Sequence, residues 1–315
     1  PSIGSNGLPG TTPDAAGSFS RDNYAIYTDV EWHINEHILL QTALRFEDFS
    51  DFGTTTNGKI AGRYKVTDQT TIRGAVSTGF RAPTPGQSNY TGVVSTVDGS
   101  TGLLTQQGTI NPVSDLGIAL GGKALQPENS RNLSFGLTSI LSRNFSLTTD
   151  FYWIELEDRI AKTQDIPVTE SQFFTRASFY TNALTTETKG FDMVATYVKD
   201  WSSGAKTKIS LAYNNNRTKV IKQNQVNGIN PISDSTIFNL ENNLPEDRFN
   251  IRLNHTFNDQ WAIKARANYY GNSVDERVER EQVASEFFVD LEVNYQVNRN
   301  ILLSLGSIYE IMSLW

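Results

Sequence analysis

Cysteine is absent from the 315 residues, methionine occurs twice and histidine three times. Without cysteine there is no disulfide framework, no thiolate zinc site and no cysteine nucleophile. His33, His37 and His255 share no metal-ligand spacing, so no metal site is expected. No run approaches the roughly 18 apolar residues of a membrane helix. That leaves strand-spanning proteins open, because their signal is only a weak alternation. A basic run is also missing. With 27 Lys and Arg against 34 Asp and Glu the net charge is −7, which argues against nucleic acid as a partner. Apolar residues make up 38%, below the usual share of a globular domain. The chain starts at Pro1 and stops at Trp315, soon after an apolar run. The expectation is a piece of a longer protein whose targeting signal cannot be read.

What is present is period two. Tyr24, Ile26, Thr28, Val30 and Trp32 share one face, against Tyr27, Asp29, Glu31 and His33. The pattern recurs in twelve segments, and their apolar faces carry no Asp, Glu, Lys or Arg. Charges of both signs, such as Arg252, Lys264, Arg266, Asp290 and Glu292, sit on the opposite faces. In a soluble sandwich the charge-free face would be the core. Connection lengths favour another architecture. Short turns are expected at 35–37, 67–69, 142–144, 198–206, 258–260 and 298–300, and long loops at 47–58, 81–131, 154–190, 214–248 and 270–284. Short and long then alternate, which gathers the long loops at one end of an up-and-down sheet. Outer-membrane barrels show that asymmetry; a Greek-key sandwich has no reason to. Aromatics near strand ends (Trp32, Phe46, Phe80, Trp153, Trp261, Tyr295) suit two interfacial girdles.

Five segments in order carry a resemblance: IRGAVSTGFRAPTPGQ at 72–87, LQPENSRNLSFGL at 125–137, FSLTTDFYWIELEDRI at 145–160, TETKGFDMVATYV at 186–198 and FFVDLEVNYQVNRNILLSLG at 287–306. The series resembles the C-terminal half of TonB-dependent outer-membrane receptors and covers most of the chain. The resemblance implies an all-β, antiparallel up-and-down transmembrane β-barrel in the bacterial outer membrane. The chain would supply about 12 of its 22 strands, with residues 1–315 a partial barrel domain and the plug domain not present. The tail at 308–315 departs from the family pattern. The implied function is TonB-driven uptake of a scarce nutrient, often a ferric siderophore. Its partners would be TonB through the missing plug region, the protein's own plug, outer-membrane lipid and an extracellular small-molecule ligand. Neither enzymatic activity nor a cofactor is expected; an iron chelate would enter as the ligand, and the family also includes receptors for haem, cobalamin and sugars. Two other classes use similar strands: a passive porin or adhesin barrel, and a soluble β-rich carbohydrate enzyme, which would need converging carboxylates.

The family motif puts an arginine at Arg81 and a glutamate at Glu128, and the resemblance implies that both face the lumen near the plug. Pro83 and Pro85 remove donors, so the sheet should end there. Arg63, Arg73, Arg252 and Arg266 would make one side of the lumen positive and favour an anionic ligand or an acidic plug surface, with Asp290 and Glu292 cancelling part of that field. Tyr90, Phe173, Phe174 and Tyr180 are loop aromatics suited to a ligand rim or to loop packing. The carboxylates at Glu155, Glu157 and Asp158 read as a solvated strand end rather than an acid–base pair. Gly121-Gly122-Lys123 lacks the flanking pattern of a phosphate loop.

Overall fold

The computed structural model describes residues 17–97, 102, 104–169, 175–275 and 281–312. The chain begins with a meander, β1 (Asn23–His33), β2 (Ile38–Phe49), β3 (Gly53–Lys65) and β4 (Thr70–Arg81). Next come α1 (Pro85–Asn89), β5 (Gly92–Val97), β6 (Leu104–Thr109) and α2 (Asp115–Ala119), and then β7 (Glu128–Ser142) and β8 (Phe145–Lys162). Two short strands, β9 (Ile166–Pro167) and β10 (Arg176–Ser178), precede β11 (Tyr180–Asp200) and β12 (Lys206–Gln223). α3 (Asp234–Asn242) leads to β13 (Asp247–Thr256) and β14 (Trp261–Tyr270). The hairpin β15 (Ser273–Asp275) and β16 (Glu281–Val283) leads to β17 (Glu286–Asn298) and β18 (Ile301–Met312).

Twelve of these strands form one antiparallel sheet, β1-β2-β3-β4-β7-β8-β11-β12-β13-β14-β17-β18, in which every strand lies beside the next one in sequence. The sheet does not close: within it β1 pairs with β2 alone and β18 with β17 alone. The turns at one end follow from their side chains. Asn35 Oδ1 accepts from the N–H groups of His37 and Ile38, and Asn258 Oδ1 from those of Gln260 and Trp261. Each is an Asx turn that replaces a backbone ladder for two residues.

Among the described residues the apolar face has no second sheet against it. Ile26 is 72% exposed, Ile60 62%, Phe151 55% and Leu305 79%, values that a sandwich core would forbid. In the outer membrane this face meets acyl chains. The polar face lines the inside. Loop segments fold over its upper end, and the small apolar cores of the molecule lie there. One is Ile110, Ala177 and Phe179, with Leu116, Leu120, Ile166, Val168 and Val226 against it; the other is Ala183, Leu184 and Ile232, with Val220 of β12 and Ile237 and Leu240 of α3 against it.

Three strands run well past membrane height, β8 with 18 residues, β11 with 21 and β12 with 18, whereas about 9–11 suffice to cross. The loops expected at 154–190 and 214–248 are therefore shorter than their spacing suggested. Above the membrane both faces of a strand meet water or loops, so no alternation marks it. The connection expected as a long loop at 47–58 is instead a tight turn at 50–52 between β2 and β3. Thr54, Thr55 and Thr56 extend β3 by pairing with Asp48, Glu47 and Phe46, a polar strand segment that hydrophobic period two does not reveal. Gly53, at φ +90°, provides the left-handed residue that closes the turn.

The register also shows the tilt of the strands. On the outward face a single row of directly opposed residues runs Val30, Thr42, Ile60, Val76, Leu133, Trp153, Lys189, Arg217. It starts aliphatic, passes an aromatic and ends on two cations. A row perpendicular to the strands must climb across a membrane if the strands are tilted by about 35–45°, as in barrels.

Candidate functional site

The inward face between β3 and β17 is the chemically rich surface. Its charges meet in pairs fixed by the register. Arg266 faces Asp290 and Lys264 faces Glu292 directly across β14 and β17; Lys264 Nζ lies 2.9 Å from Glu292 Oε1, and Arg266 Nε donates to Asp290 Oδ2 at 2.6 Å. Arg73 on β4 reaches over β7 to Asp150 on β8, with Nη2 2.7 Å from Oδ1 and 2.5 Å from Oδ2. That reach needs Gly136 between them. A Cβ there would lie 2.1 Å from Asp150 Oδ1 and 2.9 Å from Arg73 Nε. The same device recurs at Gly190, where an added Cβ would fall 2.0 Å from Tyr152. Tyr152 therefore lies flat over β11, and its hydroxyl accepts from Asn216 Nδ2 at 2.8 Å.

Two of the four candidate lumenal arginines are thus neutralised locally. Arg63 and Arg252 are not: among the described residues neither makes a side-chain hydrogen bond or ion pair. Each stands directly opposite another arginine, Arg63 opposite Arg73 and Arg252 opposite Arg266. Like charges facing each other across strands are destabilising unless a counter-charge comes from elsewhere.

Arg81 and Glu128 are partners in the β4–β7 ladder, and Arg81 Nη2 lies 2.5 Å from Glu128 Oε1. The two ends differ. Glu128 is 2% exposed, while the Arg81 side chain is 62% exposed. Glu128 is buried because its carboxylate has a second task, accepting the Ile160 backbone N–H at 2.7 Å. That N–H is displaced from the ladder by an irregularity in β8 around Asp158, whose φ is +55°. Asn182 Nδ2 donates to the Asp158 and Gln126 carbonyls, at 2.7 and 2.8 Å, and completes the knot.

Sequence patterning gave no sign of Arg21. It precedes β1, pairs with Asp51 at 2.5 Å, donates to the Pro83 carbonyl at 2.6 Å and lies over the Phe52 ring. It therefore binds the 50–52 turn to the point where the chain leaves β4.

Over the mouth, loops from different hairpins share one small sheet, β5-β6-β10-β9, with β6 and β10 parallel. Further ties run from Thr163 N–H to the Phe179 carbonyl and from Gln164 N–H to the Pro231 carbonyl, at 2.9 and 2.7 Å. α3 begins at Ser233, whose side chain accepts from Thr236 N–H, and is fixed to β12 by Glu241 Oε1 accepting the Val220 N–H at 2.7 Å. Between α3 and the wall is a cavity of about 280 Å³ lined by Asn214, Asn216, Glu241, Asn243 and Arg248 among others. The Asn214–Asn216 run and Tyr152 were the available signals for it, but both lie on strands whose outward neighbours dominated the pattern.

Tyr90 caps the end of α1 and is 38% exposed. Tyr180 is the first residue of β11, half-buried and opposite Lys162. Phe173 and Phe174 lie outside the described residues. Glu155 and Glu157 point outward on β8, where both meet Arg131, at 3.6 and 3.2 Å. Among the described residues no group of three His, Asp or Glu side chains is placed to hold a metal ion.

Comparison with known proteins agrees with this architecture. The TonB dependent receptor-like β-barrel family model matches residues 1–309. No curated protein matches the sequence. Among solved structures, the ferric enterobactin receptor PfeA of Pseudomonas aeruginosa superposes with a TM-score of 0.64 at 14% identity, covering 94% of this chain and 41% of its own. The siderophore receptor PirA of Acinetobacter baumannii gives 0.62 at 15% identity, covering 91% and 41%. The iron transporter FrpB of Neisseria meningitidis gives 0.57 at 12% identity, covering 88% and 38%. At such identities the likeness shows the fold, and the chain spans about two-fifths of the length of those proteins. An open twelve-stranded wall, greasy outside and charged within, is what a segment of such a barrel must be, and the chain belongs to the TonB-dependent receptor-like β-barrel family of the bacterial outer membrane.

Proposed function

We propose that this chain forms about half of the wall of an outer-membrane receptor that takes up a scarce nutrient as an iron chelate, a ferric siderophore, with energy delivered by TonB through a plug domain outside this chain. The observation that carries the reading is the charge balance of the lumen. A passive porin leaves its wall charges to water. Here the lumenal ion pairs are closed locally, while Arg63 and Arg252 each face a second arginine and have no counter-charge of their own among the described residues. A folded plug that presents carboxylates to those positions supplies what the wall lacks.

In this reading Arg81 and Glu128 hold the upper wall where the plug docks, and Arg63, Arg73, Arg252 and Arg266 set the field the plug meets. The cross-linked loops receive the ligand, with Tyr90, Phe173, Phe174 and Tyr180 at the rim. Such a role requires binding and movement rather than bond chemistry, so no catalytic group is assigned. The ferric enterobactin, siderophore and iron receptors named above share the architecture and support iron chelates as the ligand class.

The test uses the full-length protein containing this chain in cells with and without TonB. Uptake of radio-iron is followed with catecholate, hydroxamate and carboxylate chelates. Accumulation of one chelate class that vanishes without TonB is expected. Uptake indifferent to TonB would instead favour the passive-porin alternative, and surface binding without uptake an adhesin.

A further inference from the structure

Asparagine followed by glycine occurs twice among the described residues, at Asn57-Gly58 and at Asn227-Gly228. Asparagine is a thermolabile residue. A following glycine adds the backbone freedom and the uncrowded nitrogen that attack on the side-chain amide requires. Whether the pair reacts then depends on how firmly the fold holds it. Asn57 and Gly58 lie inside β3, opposite Arg45 and Leu44 of β2. The Gly58 N–H donates to the Thr78 hydroxyl of β4 at 3.0 Å, so that nitrogen is engaged and its backbone is fixed between two strands.

Asn227 and Gly228 are instead the two central residues of a tight turn. Their φ angles are +47° and +77°, the signs of a type I′ turn. Only the Val226–Ile229 bridge closes it, through two backbone hydrogen bonds of 2.9 Å each, and this bridge lies outside the named strands. Both residues are exposed, and the Gly228 N–H has no hydrogen bond among the described residues. The Asn227 side chain has one long contact, Nδ2 donating to the Ala119 carbonyl at the end of α2, at 3.4 Å. It rests on Gly121, where an added Cβ would fall 2.8 Å from Asn227 Cγ and 2.7 Å from Val226. Val226 in turn packs on the cap core of Ile110, Ala177 and Phe179. The turn therefore ties α2 to the cap through the amide that is chemically exposed.

We infer that Asn227 is a deamidation site, and that its modification releases α2 from the cap. Base removes the Gly228 N–H proton, and the nitrogen attacks Asn227 Cγ. A C–N bond forms, the Cγ–Nδ2 bond breaks, and Nδ2 leaves as ammonia with the proton returned to it. Water then opens the succinimide at either carbonyl, giving aspartate or isoaspartate; no oxidant or reductant enters. Either product replaces a donor to the Ala119 carbonyl by a carboxylate, which can only accept. Isoaspartate also lengthens the main chain inside a turn that has room for two residues. Both changes draw Val226 and Asn227 away from Gly121 and the cap core.

The full-length protein is kept folded in detergent in mildly alkaline buffer, and peptide mass mapping follows conversion of amide to acid at both Asn-Gly pairs. Position 227 should lead position 57 by about ten-fold or more, the ratio that a difference of ~1.4 kcal/mol in local opening gives. In denatured protein the two should react alike, and isoaspartate methyltransferase should label both. Asn227→Gln, which would have to close a larger ring, should abolish the signal at its position. Asn227→Asp supplies the product's charge at once. Its α2 amides should exchange hydrogen about five-fold faster, as loss of ~1 kcal/mol of hydrogen bonding gives, while β13 and β14 keep their protection. Folding of each variant is checked by its heat-modifiable mobility on gels. Equal rates at the two positions in folded protein, or no conversion at position 227, overturns the site. Unchanged α2 exchange in folded Asn227→Asp overturns the release of α2.

Discussion

Gly136 should be coupled energetically to a residue on another strand that it does not itself hydrogen-bond. Arg73 and Asp150 meet only because β7 has no side chain between them; a Cβ at position 136 would come 2.1 Å from Asp150 Oδ1. Gly136→Ala forces the carboxylate aside. The pair is bidentate, but its side chains are 44% and 32% exposed, so its loss costs about 1 kcal/mol rather than the value of a buried pair. Turning Asp150 off its rotamer adds roughly 0.5–1.5 kcal/mol. Against this, alanine in a strand interior is better than glycine by roughly 0.5–1 kcal/mol. The net expectation is destabilisation of about 1 kcal/mol in the wild type. In an Asp150→Ala background only the Arg73 side chain, 2.9 Å from the added Cβ and no longer held by a carboxylate, has to yield, and the same substitution should stabilise by about 0.5–1 kcal/mol. The cycle therefore predicts a coupling of about 1.5–2 kcal/mol. Guanidinium unfolding of the full-length protein in detergent, followed by tryptophan fluorescence with unchanged slope, measures all four corners. An effect of equal sign and size in both backgrounds would refute the close-approach argument.

Further expectations follow from the same geometry. Phe179 is fully buried in the cap core with Ile110 and Ala177. Phe179→Ala should loosen the cap by about 3–5 kcal/mol, read as faster hydrogen exchange in β6 and β10 while the wall strands keep their protection. Glu128→Gln keeps the Ile160 acceptor but removes the charge facing Arg81, so it should cost about 1 kcal/mol; Glu128→Ala leaves a buried N–H unsatisfied and should cost about 2–3 kcal/mol. Equal losses in the two variants, measured by denaturant titration, would remove the bulge-capping role. In the exposed 66–69 turn, a hydrogen bond from Lys65 holds the Asp68 carboxyl below its ordinary value. A depressed carboxylate contributes stability above its unfolded pKa and loses it as pH falls through the folded one. An NMR titration should place Asp68 below the usual ~3.9, and Lys65→Met should bring it back. Asp68 titrating identically in both proteins would count against the pair.

The sequence by itself determined the architecture and the family. Period two needs only the identities of alternate residues, so each strand's greasy and wet faces could be read before any partner was known. Arg81 and Glu128 were singled out by their resemblance to the family motif, whereas the end of β4 before Pro83 and Pro85 could be read locally, because proline removes a ladder donor. Pattern reading failed where both sides of a strand meet the same environment. The threonine-rich start of β3 and the upper thirds of β8, β11 and β12 are strands without alternation, so they read as loops.

Tertiary structure alone decided which charges meet. Arg73 and Asp150 are 77 residues apart in sequence, and their encounter depends on two ladders and one glycine. Both arginine–arginine oppositions are likewise matters of register, as is the burial of Glu128 beneath a bulge on the neighbouring strand β8. Alternation tells a side chain which face it occupies, but height on that face is set by stagger and tilt. A sheet accumulates these strand by strand through its hydrogen bonds. That is why an outward row can begin at Val30 in hydrocarbon and end at Arg217 among headgroups, with nothing in the local sequence at either end to announce it.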